Sequence, residues 1–372
     1  TGTEITPHNT EKKADQWCLT KIVTPLGASL TVEYERDTYS NINGYPVTQS
    51  PLLFDVALAS SNPITLPSEI LGSTTQLSDL ISIGSVATVY YNSNYNPSTK
   101  LTANQSVSST SGSNITLNGL PGSLSTYYKL GIKADKKYGG GIRVKSIKTK
   151  DENNEEFVTK YIYSKDGTEN GLTSGVASYE SPYDRTEQGD FSFYKLFEHP
   201  YTPIMYSNVA VVSGRNDATF KENARQTFHF VTPHWNMITA KFNSSIDQKI
   251  ITDAGMTGYY KKFSTIDETS CIGNLDTVKI YNQYNNLVSK TVLDYTKNAN
   301  NDYANMLGHY TEMNFTWETI RSSSFANYVN QKIVQSYKLK RPSILKSLTT
   351  YKDRLVSKHE NKVYDYQTGQ AL

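Results

Sequence analysis

Two cysteines in 372 residues, Cys18 and Cys271, are too few for a disulfide scaffold and match no metal-ligand spacing. They could pair with each other in an oxidising compartment. An excess of either charge is also lacking, with 37 Lys plus Arg against 35 Asp plus Glu. That balance removes bulk electrostatics as a basis for a nucleic-acid or anionic-membrane partner, and no nucleic acid is expected. No apolar run reaches the length of about 18 residues that would cross a bilayer as a helix, so membrane insertion is not expected. Long Ala/Leu/Glu/Lys blocks are scarce. Gly-x-Ser-x-Gly, P-loop and His-Glu-x-x-His patterns are absent. The chain opens at Thr1 without an initiator Met or signal peptide and stops after Tyr364-Asp-Tyr-Gln-Thr-Gly-Gln-Ala-Leu372. Both ends read as cut from something longer.

Tyrosine is what is plentiful: 28 Tyr against 12 Phe and 3 Trp. Its ring packs while its hydroxyl stays wet, which favours half-exposed strands. With abundant Ser, Thr and Asn, the composition points to an extended β-rich protein, secreted or surface-displayed, and not to a cytosolic α/β enzyme. The fold class expected is all-β, with successive antiparallel hairpins forming an extended curved sheet.

The stretch from Tyr138 to Tyr163 sets the pattern. Ile142, Val144 and, after one slip of register, Ile147 alternate with Arg143, Lys145, Ser146 and Lys148, the period of a strand with one wet face. Asp151–Glu156 is too polar to pack and reads as a turn, and Phe157, Tyr161 and Tyr163 mark the returning strand. Residues 19–34 repeat the layout around Thr24-Pro-Leu-Gly27, where Pro25 fixes φ and Gly27 frees it. Gly139 and Gly140 are read as permitting a similar bend. Leu275–Tyr295 and Ser343–Lys358 give two further hairpins, and Thr227–Val231 and Val329–Tyr337 read as strands. Phe191–Phe197 and Val209–Val212 are strand candidates, whereas residues 244–270 and 303–338 look irregular. Three returning strands open alike, as Phe157-Val-Thr-Lys, Leu287-Val-Ser-Lys and Leu355-Val-Ser-Lys, so we read a divergent internal repeat.

The chain divides into an N-terminal hairpin over 1–35, a Ser/Thr/Asn-rich insertion or looser β-layer over 36–130, and a repeated hairpin region over 131–372. Within the insertion, 92–113 is nearly all Ser, Thr and Asn and is expected to be mobile. Residues 67–81 could hold a short helix capped at Ser68.

Leu19-Thr-Lys-Ile-Val-Thr-Pro-Leu-Gly-Ala-Ser-Leu-Thr-Val-Glu-Tyr34 resembles a unit of the RHS/YD-repeat proteins. Gly140-Gly-Ile-Arg-Val-Lys-Ser-Ile with Tyr161-Ile-Tyr163 is similar to a segment of the very large RHS-like surface proteins of Bacteroidota. Asn286-Leu-Val-Ser-Lys and Tyr364-Asp-Tyr-Gln-Thr-Gly-Gln-Ala-Leu372 resemble the repeat's closing phrases. Asp276-Thr-Val278 resembles an O-glycosylation phrase of exported Bacteroidota proteins. Clean Tyr-Asp-x-x-Gly-Arg-Leu units and the RHS core are missing. The resemblance implies a β-shell or spiral strip that encloses or displays another polypeptide without itself performing chemistry.

Residues with chemical potential are few. His229 and His234 in His229-Phe-Val-Thr-Pro-His234 are the best metal candidates, yet a spacing of five points them to opposite faces of a strand, with Pro233 between them. Asp184, Glu187 and Asp190 form an acidic loop without EF-hand spacing. Gly139–Gly141 precedes a strand, so it is not a phosphate cradle. No catalytic, cofactor or metal residue is assigned. The partners expected are other segments of the same polypeptide or a partner protein. A carbohydrate stacked on Tyr and Trp faces is the alternative, and a polysaccharide-active enzyme ranks below it.

Overall fold

The computed structural model describes residues 18–25, 27–49, 52–55, 62–66, 80–92, 100–119, 127–153, 155–178, 204–216, 220–242, 258–295, 310–321, 329–340 and 343–363. They form 24 strands and, among the described residues, no α-helix. In chain order these are β1 (Lys21–Val23), β2 (Ser29–Tyr39), β3 (Asn41–Ile42), β4 (Tyr45–Pro46), β5 (Leu52–Asp55), β6 (Ile64–Thr65), β7 (Val86–Asn92), β8 (Lys100–Ser111), β9 (Asn114–Leu117), β10 (Tyr127–Ile132), β11 (Lys137–Lys150) and β12 (Glu156–Ile162). There follow β13 (Gly175–Ala177), β14 (Ile204–Tyr206), β15 (Asn208–Asn216), β16 (Phe220–Phe230), β17 (Ile238–Phe242), β18 (Gly258–Asp267), β19 (Leu275–Tyr281), β20 (Leu287–Tyr295), β21 (Tyr310–Arg321), β22 (Val329–Lys340), β23 (Leu345–Lys352) and β24 (Leu355–Glu360).

Ten strands make one curled sheet in the order β1-β2-β11-β12-β15-β16-β19-β20-β23-β24, which is chain order. Every neighbouring pair is antiparallel. The sheet is therefore five hairpins laid side by side: four are hairpins read in the sequence, and the fifth pairs β15 with β16, read there only as separate strands. Because direction alternates, all five hairpin turns lie along one end of the sheet and the four long connections leave from the other.

The turns explain why the hairpins close where they do. Asp151 accepts through Oδ1 from the backbone N–H groups of Asn153 (2.9 Å) and Glu155 (2.7 Å). Asn282 does the same for Tyr284 and Asn286, at 3.0 Å each. Both are Asx-capped five-residue loops, closed by a backbone bond between first and last residues of 3.0 Å. The Thr24–Ala28 loop has the same closing bond, at 2.8 Å, with a threonine in the capping position. Its fourth residue, Gly27, has φ +93°, and the corresponding Asn285 has φ +61°. A left-handed residue at this position lets the loop rejoin the returning strand. The last hairpin instead turns on two residues, Asp353 and Arg354, both at positive φ.

Three smaller sheets occupy the long connections. Between β2 and β11 the strands run β5-β10-β7-β8-β9-β6 around a dry core that includes Ile64, Leu66, Val89, Val107, Ile115, Leu130 and Ile132. A second sheet, β14-β13-β3-β4, joins the first connection to the second, with β13 parallel to β3. A third, β17-β18-β22-β21, joins the third connection to the fourth through parallel pairing of β18 with β22. Each parallel pair unites segments separated by at least one hairpin of the main sheet, the long crossover that parallel neighbours require.

Several expectations need correction. Residues 100–111, expected to be mobile, form the strand β8, because its Ser, Thr and Asn side chains find partners in neighbouring strands. Thr88 Oγ1 donates to Asn104 (2.8 Å) and Asn118 Nδ2 to Ser106 (2.7 Å), while Val107 is fully buried between them. The spans 244–270 and 303–328, expected to be irregular, contain the long strands β18 and β21, whereas the strand read at Val329–Tyr337 is β22. Gly139–Gly141 lies inside β11 and not before a strand. There the pairing with β2 slips between Tyr138 and Ile142, and a Cβ on Gly139 would run into the Ile204 side chain. Cys18 and Cys271 do not form a disulfide. The helix proposed at Ser68, the strand at Phe191–Phe197, the acidic loop at Asp184, Glu187 and Asp190, and the terminal phrase 364–372 lie outside the described residues.

Candidate functional site

The period-2 alternation gives the main sheet two chemically different faces. Cross-strand pairing of Glu33 with Ser146, Ser146 with Lys160, Lys160 with Val212 and Val212 with Arg225 puts these on one face. Leu30, Val32, Tyr34, Val144 and Ile147 occupy the other. The register slip read in the sequence is a β-bulge between Val144 and Ser146. It brings Arg143 and Ser146, three residues apart, onto the same wet face.

Over β2, β11 and β12 this face forms a groove of about 910 Å³, walled on one side by the loop that follows β12, including Ser164, Glu169 and Thr173. Three of its cations are matched by carboxylates. Lys148 Nζ lies 2.5 Å from Glu33 Oε1, and Ser146 Oγ donates to Glu33 Oε2 at 2.8 Å. These hydrogen bonds hold the Glu33 carboxyl below the usual carboxylate range, and Glu33 in turn raises Lys148. Lys160 Nζ meets Glu169 Oε1 at 2.7 Å, a carboxylate carried in by the covering loop.

Arg143 sits at the closed end. Its Nε lies 2.6 Å from Glu35 Oε1, and Nη1 donates to Thr38 Oγ1 at 3.2 Å. The guanidinium carbon stands 4.4 Å from the Tyr163 ring centroid and 4.8 Å from that of Tyr206. Both phenols are tied down: Tyr163 donates to the Val144 carbonyl (2.7 Å) and Tyr206 to Asp37 (2.8 Å). Burial pushes the Tyr163 hydroxyl up to about 12, with Arg143 opposing the shift, and raises Tyr206 further. The cluster clamps the second connection to the sheet, since Tyr206 lies in β14 and Arg143 in β11. Sequence reasoning missed it. The available signal was an arginine on the wet face with tyrosines at strand ends, but the Arg143–Tyr206 approach depends on a connection whose path the sequence does not specify.

The two histidines are not brought together by their hydrogen bonds. His229 Nδ1 lies 2.6 Å from Asp276 Oδ1, whereas His234 Nδ1 lies 2.5 Å from Asn236 Oδ1 and caps the short turn Trp235–Met237. Among the described residues no group of three or more His, Cys, Asp and Glu side chains could hold a metal ion. Thr277, in the glycosylation-like phrase, is half-buried in β19 opposite His229. Beside His234, Trp235 stacks on Tyr45 with ring centroids 6.0 Å apart. Both rings are about half exposed, at 52% and 46%. In the groove the arrangement offers satisfied ion pairs, tyrosine faces and hydroxyls, a surface suited to contact.

No protein-family model matches the chain, and no curated protein matches it. Among solved structures, a crystal structure of TcdB2-TccC3-Cdc42 is similar at 7% identity and a TM-score of 0.22, covering 82% of this chain and 17% of that one. A likeness that slight carries no argument, and the chain spans under a fifth of that structure's length.

Proposed function

We propose that this chain is a non-catalytic, architectural segment of a large secreted or cell-surface β-shell protein of the RHS-like kind, whose wall encloses, displays or docks another polypeptide. The observation that supports this most is the chain-order meander of five hairpins, with every turn at one end and every excursion at the other. A sheet built by adding hairpins grows without changing its plan, and its two faces stay available for contact. The resemblance of residues 19–34, 140–163 and 286–290 to RHS-type phrases falls on the hairpins of this sheet.

A photo-crosslinking amino acid at Tyr351, in the protein as its cells export it, tests the reading. Adducts to a segment of the same polypeptide or to one partner protein are expected, with few from Tyr284 at the turn end. Equal labelling from both positions, or none, contradicts it.

The second reading, a carbohydrate-binding β-protein, is supported by the exposed Tyr45–Trp235 pair, whose apolar faces suit a pyranose ring. A glycan array with wild type and Trp235→Ala separates the two: glycan binding lost in the variant favours this reading over the first.

A further inference from the structure

The groove face changes character along the sheet. Over β2 to β16 four of its cations have carboxylates: Lys148 with Glu33, Arg143 with Glu35, Lys160 with Glu169, and Arg225 with Glu222 at 2.9 Å. In the next hairpin, Lys279 of β19 lies directly opposite Lys290 of β20. Directly opposed side chains on one face stand about 5 Å apart at Cβ, where like charges repel. Both lysines are half-buried, and neither forms an ion pair with a described residue. The contact Lys290 does make is with the Tyr351 ring, 5.9 Å from its centroid. The neighbouring positions on this face are Thr227, Thr277, Tyr281, Val292 and Tyr351, none of them acidic.

We propose that Lys279 and Lys290 are the docking point for an acidic polypeptide segment laid across the groove face, a carboxylate bridging the two ammonium groups. The inference rests on the architectural reading and deepens it by naming the chemistry of the occupant. The same face shows how such a lysine is satisfied: Lys160 takes its carboxylate from a covering loop of polypeptide. Two cations flanked by threonine, valine and tyrosine suit one or two carboxylates, not the repeating phosphates of a nucleic acid, which need a longer basic stripe. A chain with net charge +2 overall offers no such stripe by bulk charge.

The test uses the full chain and a fluorescein-labelled decaglutamate peptide, read by anisotropy at low salt. Binding that weakens with salt is expected, with none for decaglutamine. The Lys279→Gln/Lys290→Gln double variant is expected to lose about tenfold in affinity, the Arg/Arg variant to retain it, and Lys148→Gln to change it by less than about twofold. Because the double variant removes a like-charge contact, its thermal midpoint is expected to equal or exceed that of wild type. Equal binding by the Gln/Gln variant overturns the proposal, as does absence of binding by wild type. A heparin fragment that binds through these lysines where decaglutamate does not also overturns it, in favour of a sulfated glycan. Cross-strand cysteine trapping at Thr291 and Thr350 reads the architecture without ligand, so failed peptide binding with intact trapping removes the docking proposal alone.

Discussion

The six-stranded sheet between Leu52 and Ala134 and the ten-stranded sheet from which it departs are stabilised differently. The smaller sheet surrounds a contiguous core of twelve buried apolar residues. Among the described residues the larger has only Ile162, Ala210 and Val212 as a buried cluster of its own. Along its turn end Phe157, Leu287 and Leu355 are 45%, 52% and 75% exposed. Hydrophobic burial thus holds the insertion, while ladder hydrogen bonds, cross-strand pairs and ion pairs hold the wall. A sheet that buries little on either face is suited to being lined or covered, and this is why its function is sought on its faces and not in a cavity.

That contrast can be broken by mutation. Ile115→Ala, at a fully buried site of the insertion, is expected to cost about 2–5 kcal/mol, whereas Leu287→Ala in the wall costs less than about 0.5 kcal/mol. Urea unfolding followed separately by probes in the two sheets measures both, and similar losses would erase the distinction. Arg143→Ala comes next in size, at about 2 kcal/mol. It leaves Glu35, 32% exposed, without its partner and two tyrosine faces uncovered, so the loss should register in the wall.

The same cluster predicts a response to alkali. Tyr163 has its folded pKa raised to about 12 by burial, so the folded state favours the protonated phenol. The resulting stability is fully present below the unfolded value near 10 and is lost as pH rises through about 12. Tyrosinate absorbance against pH should show Tyr163 and Tyr206 ionising last, and Tyr163→Phe should lessen the destabilisation over that window. Titration of all tyrosines together near pH 10 would dissolve the cluster as described.

The turns give the smallest effects. Asn282→Ala removes two hydrogen bonds to backbone N–H groups and is expected to cost about 1 kcal/mol. Arg354→Gly relieves a non-glycine residue at φ +68° and should stabilise by about 0.5 kcal/mol. Both are read from denaturant midpoints.

The hairpins were legible because their signals are local. Alternation in Ile142–Lys148, the Asp151 and Asn282 turns and Gly27 each act within a few residues, and even the bulge at Lys145 appears as a slip in the apolar period. The repeat Phe157, Leu287 and Leu355 placed three strands in equivalent positions before any coordinates. What was not legible depends on distance along the chain. β8 has no apolar alternation, and its order comes from β7 and β9. The parallel pairing of β18 with β22 joins segments separated by the β19–β20 hairpin, and no periodicity encodes that choice. In the candidate site, Arg143 and Lys148 were visible as a wet face. Their carboxylates at 33 and 35 required the β2–β11 register, and Glu169 required the path of a loop.

Hairpin next to hairpin, in chain order, is the central claim, and disulfide trapping across the junctions between hairpins tests it most directly. Thr291 Oγ1 lies 3.2 Å from Thr350 Oγ1 across β20 and β23, and Thr159 Oγ1 lies 3.3 Å from Ser213 Oγ across β12 and β15. In a Cys18→Ser/Cys271→Ser background, Thr291→Cys/Thr350→Cys and Thr159→Cys/Ser213→Cys should each oxidise to an intramolecular disulfide in the folded protein. Failure of both pairs to close under native conditions, while the protein remains folded, would contradict the wall.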